Sequence, residues 1–211
     1  MAHAKIGGKE FSLFYDYDQL RDKKLSQLSN NGKIKWFQLR TSAIFLEPLK
    51  RIFNRSSTAH QELNSVSQHD QPFRTFTIAA FSILLNGVEA LGSFLATNPK
   101  PKNWDNFYAF IRNYMKDWDT KVLGTSYRKD HLPWILWKHF RNGIAHSFVI
   151  EGGGIDYDAD VSKWRVKNGR LEIGPTAFFK DFLVGVKAFF ADVKSKKRLS
   201  FLSRFKKVYP C

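Results

Sequence analysis

The stretch Phe73-Arg-Thr-Phe-Thr-Ile-Ala-Ala-Phe-Ser-Ile-Leu-Leu-Asn-Gly-Val-Glu-Ala-Leu-Gly-Ser-Phe-Leu95 decides the fold class. Within it Phe73, Phe76, Ala80, Leu84, Val88, Leu91 and Leu95 recur at steps of three or four, the spacing that lines one face of an α-helix. Ser82, Asn86, Glu89 and Ser93 form a polar stripe beside that face, and Asn98-Pro99 closes the element. The run from Thr77 to Ala96 nears membrane-spanning length, yet Asn86 and Glu89 lie near its middle, where each is costly in lipid. It reads as a long buried helix of a bundle.

Outward from this helix the same period recurs. On the N-terminal side a polar loop, Arg55 to Gln71, separates it from a helical pattern over Trp36 to Phe53, in which Pro48 marks a kink or break. On the C-terminal side Trp104, Phe107, Tyr108, Ile111, Tyr114, Met115 and Trp118 define a third helix, followed by a loop around Gly124. A fourth helix takes Asp130 and Pro133 as first-turn residues and buries Leu132, Ile135, Leu136, Phe140, Ile144 and Phe148, ending at Gly152-Gly153-Gly154. The period then changes to two. Trp164 and Val166 alternate with charged neighbours, Asn168-Gly169 suits a type I′ turn, and Leu171 and Ile173 continue the pattern, so 164–173 is a β-hairpin. After Gly174-Pro175 a last helix buries Phe178, Phe179, Phe182, Leu183, Val186, Phe189 and Phe190. The expected architecture is mainly α, a helical bundle with a small β-hairpin before the last helix. Its expected parts are an N-terminal helical extension with the polar loop (1–72), a helical domain (73–192) and a basic amphipathic tail (193–211).

With 211 residues, of which 20 are Phe, 6 Trp and 7 Tyr, the chain can bury a core held by large side chains. Its net charge of +15, from 34 Lys and Arg against 19 Asp and Glu, attracts polyanions through the long-range field. RNA answers that description, and so does an anionic membrane. Lys194, Lys196, Lys197, Arg198, Arg204, Lys206 and Lys207 follow Asp192 with no acid among them, so much of the excess belongs to the tail. With Leu199, Phe201, Leu202, Phe205 and Tyr209 between the charges, the tail reads as an amphipathic helix for RNA, a membrane or a partner, or as the solvated end of the last helix. The single cysteine, Cys211, excludes an internal disulfide and any cysteine-based zinc cluster. A reducing compartment fits, and the N-terminus lacks the apolar core of a secretory signal, so the cytoplasm is the expected location.

Chemistry concentrates in Arg141-Asn142-Gly143-Ile144-Ala145-His146. An arginine can hold a phosphate with a two-pronged hydrogen bond, and histidine gives or takes a proton near neutral pH. Spacing alone is cheap, since Arg55 and His60 repeat it in a polar stretch. The second instance differs by Asn142 and by the apolar run Leu132-Pro133-Trp134-Ile135-Leu136-Trp137 that leads into it. At about 100° per residue, Asn142 and His146 share a helix face while Arg141 lies roughly 140° around from His146. Either the Arg side chain curls around the helix, or a second copy of the helix supplies the missing group. The bland reading is a helix cap, with His146 meeting the dipole at a C-terminus and Arg141 a solvated surface charge.

The segment resembles the Arg-Asn-x-x-x-His signature of the HEPN family, small helical domains of which many are metal-independent ribonucleases; the resemblance covers about Phe73 to Asp192. It implies a homodimer in which two copies of the motif line one cleft. It also implies attack of the RNA 2′-hydroxyl on the adjacent phosphate, with His146 carrying the proton, Arg141 stabilising the phosphate oxygens and Asn142 orienting substrate or His146. No cofactor is implied, and the setting would be defence or a toxin-antitoxin pair with an antitoxin protein as partner. The alternative is a HEPN-like module that binds RNA, a nucleotide or a protein without cleaving. Around the motif, Lys138 and His139 are expected to contact RNA, joined by Lys196, Lys197, Arg198 and Arg204 of the tail.

Other chemistries fall away. His139 and His146 invite a metal site, but no acid falls at helical spacing beside them and no His-Glu-x-x-His occurs. Asp156, Asp158 and Asp160 begin like a calcium loop, yet Val161 and Lys167 stand where Gly and Glu are required. Neither a phosphate-binding Gly-rich loop nor a Gly-x-Ser-x-Gly elbow is present.

Overall fold

A computed structural model describes residues 3–12, 24–53, 72–95, 102–147, 150, 152–156 and 162–209. The expected loop with Arg55 and His60, the Asn98-Pro99 stop, Phe148, Asp158 and Asp160 lie outside these residues. The chain is mainly α, as its periodicity predicts. In order it forms β1 (His3–Ile6), β2 (Lys9–Ser12), α1 (Asn30–Thr41), α2 (Pro72–Gly92), α3 (Asn103–Tyr114), α4, β3 (Gly153–Ile155), β4 (Trp164–Lys167), β5 (Arg170–Ile173), α5 (Pro175–Lys194) and α6 (Arg198–Val208). The helix α4 runs as Leu132–Ile135, a π-helical stretch Leu136–Arg141, and Asn142–Ser147. Among the described residues no helix is long and apolar enough to cross a membrane.

Two compact units are present, one of residues 1–48 with 187–211, the other of residues 49–186. In the first, β1 and β2 pair antiparallel across Gly7 and Gly8, whose φ angles of 59° and 80° suit glycine. Ser29 caps α1 by accepting from the Gly32 amide. Trp36 and Phe37 of α1 are buried with Phe201, Phe205 and Tyr209: Trp36 meets Phe205 edge-on at 5.8 Å, and Phe37 lies 5.4 Å from Phe201. The apolar side chains of the expected tail are thus mostly committed to packing, with Leu199 left exposed. Pro48 does not end α1. A π-helical turn, Ser42–Leu46, precedes it and helical residues 47–53 follow; a wider turn gives room where a proline ring would press on the carbonyl four residues back.

In the second unit the core gathers Phe81, Phe140, Phe178, Trp118, Phe110 and Phe182, with Phe178 5.1 Å from Phe81 and 4.6 Å from Trp118. The expected hairpin forms, with Trp164 opposite Ile173 and positive φ at both Asn168 and Gly169. The glycines read as a helix stop are instead partly a strand: β3 pairs parallel with β5, giving the order β3-β5-β4. A Cβ at Gly153 would stand 2.8 Å from the Leu171 carbonyl oxygen, so glycine permits this close pairing. At Gly92 a Cβ would stand 1.8 Å from the Asn106 carbonyl oxygen, so α2 and α3 touch backbone to backbone. Lys163 donates to Asp117 at 2.7 Å and pairs with Asp181 at 2.8 Å, and Asp181 accepts from the Trp118 indole.

Candidate functional site

The π-helical stretch of α4 shapes the site. A stripe at four-residue intervals drifts about 40° per step around an ideal α-helix. Wider turns remove that drift, so Leu132, Leu136, Phe140 and Ile144 all stay fully buried while the intervening residues rotate. Gly143 falls beside the buried stripe rather than on it, being only partly buried. The Asn142 amide donates to the Trp137 carbonyl, five residues back, which sets Trp137 and Asn142 on successive turns.

Arg141 is half of an ion pair with Glu89 of α2, the acid that the sequence places in the polar stripe. Its Nε lies 3.0 Å from Glu89 Oε2 and one terminal nitrogen donates to Oε1 at 3.3 Å. The other terminal nitrogen donates to Asn142 Oδ1 at 3.0 Å. The side chains are 19% and 15% exposed, so the pair is shielded but open on one side. At Nε the angle is poor, and the contact there is electrostatic rather than a hydrogen bond. Arginine carries five N–H groups in a fixed fork. One N–H on each terminal nitrogen is left without a protein acceptor among the described residues. Burial raises the Glu89 pKa above its ordinary value, and the nearby guanidinium opposes that rise without cancelling it.

Of the other expected site residues, His146 lies in the helical segment Asn142–Ser147, and its side chain lies outside the described residues. Lys138 is exposed on α4, and the His139 ring packs at 4.5 Å on Tyr127. Lys196 is exposed, Lys197 and Arg204 are half-buried, and the Arg198 side chain lies outside the described residues. These four belong to the first compact unit, Arg141 and Asn142 to the second. No group of three or more metal-ligating side chains occurs among the described residues. The sequence allows Glu89 either to approach the motif from the long helix or to lie in a solvated polar stripe, and the contact with Arg141, across 52 positions, decides for the first. No known protein family, curated protein or solved structure matches the chain.

Proposed function

We propose that this chain is an endoribonuclease of the HEPN type that needs no metal and acts as a homodimer on RNA, in a defence or toxin-antitoxin setting. The observation that carries the reading is the Arg141 fork, fixed by Glu89 and Asn142 with two N–H groups to spare, five residues before His146 on the same helix. In the proposed step His146 takes the proton of a ribose 2′-hydroxyl as its oxygen bonds to the adjacent phosphorus. The bond to the 5′-oxygen breaks, that oxygen gains a proton, and a 2′,3′-cyclic phosphate with a free 5′-hydroxyl remains. Arg141 stabilises the charge that builds on the non-bridging oxygens. Glu89 is a positioning residue, acting through Arg141.

The test is incubation of purified protein with mixed RNA in EDTA. Cleavage with cyclic phosphate ends is expected, abolished by His146→Ala and strongly reduced by Arg141→Lys, which keeps the charge but loses the fork. Mixing Arg141→Lys with His146→Ala protein should recover part of the activity through hybrid dimers. Cleavage that requires added magnesium or manganese would overturn the reading. A second reading, a module that binds RNA, a nucleotide or a protein without cutting, is favoured by the same ion pair, since Glu89 already neutralises the cation. Tight RNA binding with no cleavage in any of these assays would select it.

A further inference from the structure

Three of the six tryptophans, Trp104, Trp134 and Trp137, are left partly exposed together on α3 and α4. Trp104 lies parallel to Tyr108, 5.1 Å apart and tilted by 5°, and meets Trp134 edge-on at 5.1 Å. Trp137 closes the group at 5.3 Å from Trp134 and 5.8 Å from Trp104. Elsewhere in the described residues Trp164, Tyr114 and Tyr127 are also partly exposed, but not grouped as these rings are. Phe107 and Phe110 of the same α3 are fully covered, whereas the three indoles keep part of their surface in solvent, with the Trp137 Nε1 turned inward. The rings of this layer are held in place: His131 Nε2 donates to Asp119 Oδ1 at 2.9 Å, and the ring packs edge-on to Tyr108.

Cations border the layer. The Lys129 ammonium sits 3.9 Å over the Trp134 ring, Arg112 is exposed four residues after Tyr108 on α3, and Lys138 is exposed next to Trp137. Continuing along α4, the turn after Trp137 carries Arg141 and Asn142. Aromatic faces beside cations are what unpaired bases and their phosphates recognise, because every base has a stacking face and a duplex hides it.

We propose that Trp104, Trp134 and Trp137 form a stacking platform for the unpaired bases of single-stranded RNA, whose backbone continues to Arg141. The proposal rests on the RNA reading above for its ligand but not on cleavage. Binding is therefore measured on the His146→Ala protein, by anisotropy of a labelled single-stranded oligonucleotide of about twelve residues. Trp134→Leu, which stays apolar and loses the π face, should weaken binding about tenfold with an unchanged salt slope, and Trp134→Phe should retain most of it. Equal affinity for the Leu and Phe variants, or equal affinity for duplex and single-stranded RNA, overturns the platform. In the intact protein, platform binding without cleavage leaves this proposal standing and removes the nuclease reading. Cleavage with an unchanged KM in Trp134→Leu does the reverse.

Discussion

At the scale of single residues, Glu89 and Arg141 define each other. Neither is adequately described by its own sequence surroundings, which make one a polar-stripe acid and the other a motif cation. Removing only one partner leaves a shielded charge uncompensated, so Arg141→Ala should cost stability as well as chemistry, roughly 2–4 kcal/mol by denaturant unfolding. That is why the milder Arg141→Lys serves the activity assay. The pH dependence follows from the raised Glu89 pKa. A carboxyl whose folded pKa exceeds its unfolded value binds its proton more readily in the fold, so stability is greatest below the unfolded pKa and falls as pH rises through the folded one. Glu89→Gln removes this loss. Its stability relative to the parent protein should improve steadily from about pH 4 upward into the weakly acid range; a difference independent of pH would show that the pair is not strained by burial. Arg141, Asn142 and His146 stand together in the sequence, whereas Glu89 could be read equally as approaching them or as part of a solvated stripe, because a long-range contact leaves no spacing to read.

At the scale of elements, periodicity found α2, α3, α4, α5 and the 164–173 hairpin, since those patterns repeat over several turns or around a marked Asn-Gly; it reached α1 only from Trp36 onward and left α6 open between a helix of its own and the end of α5. It missed what has no repeat. The strand β3 is three residues, two of them glycine, and its identity comes from pairing with β5 rather than from its own side chains. The β1–β2 hairpin did carry a trace, Gly7-Gly8 between short alternating runs, too brief to stand out beside helices. The π-helical stretches are invisible to a count that assumes one angle per residue. Where α2 crosses α3 the prediction is sharp. Gly92→Ala would press a Cβ to 1.8 Å from the Asn106 carbonyl oxygen, and backbone cannot swing aside as a side chain can. Denaturant titration should show a loss of roughly 2–4 kcal/mol; a neutral outcome would mean that the two helices separate at little cost.

At the scale of the whole molecule the charge of +15 and the packing of α6 have to be considered together. Deleting the residues after Asp192 would strip Trp36 and Phe37 of Phe201, Phe205 and Tyr209, confounding charge with folding. Point changes separate the two. Lys206 and Lys207 are exposed, so Lys206→Gln with Lys207→Gln should leave the melting temperature unchanged, weaken RNA binding across all sequences and flatten its salt slope by about one to two. An unaltered slope would remove α6 from the RNA-binding surface. The distribution of indole rings has a practical outcome of another kind. Of the six tryptophans only Trp36 belongs to the unit of residues 1–48 and 187–211, edge-on to Phe205 and Tyr209, and the other five belong to residues 49–186. The indole rings are therefore divided five to one between the units. A Trp36→Phe protein reports optically on the larger unit alone, and the difference spectrum against the parent isolates the smaller, so the order in which the two melt can be followed without attaching a dye.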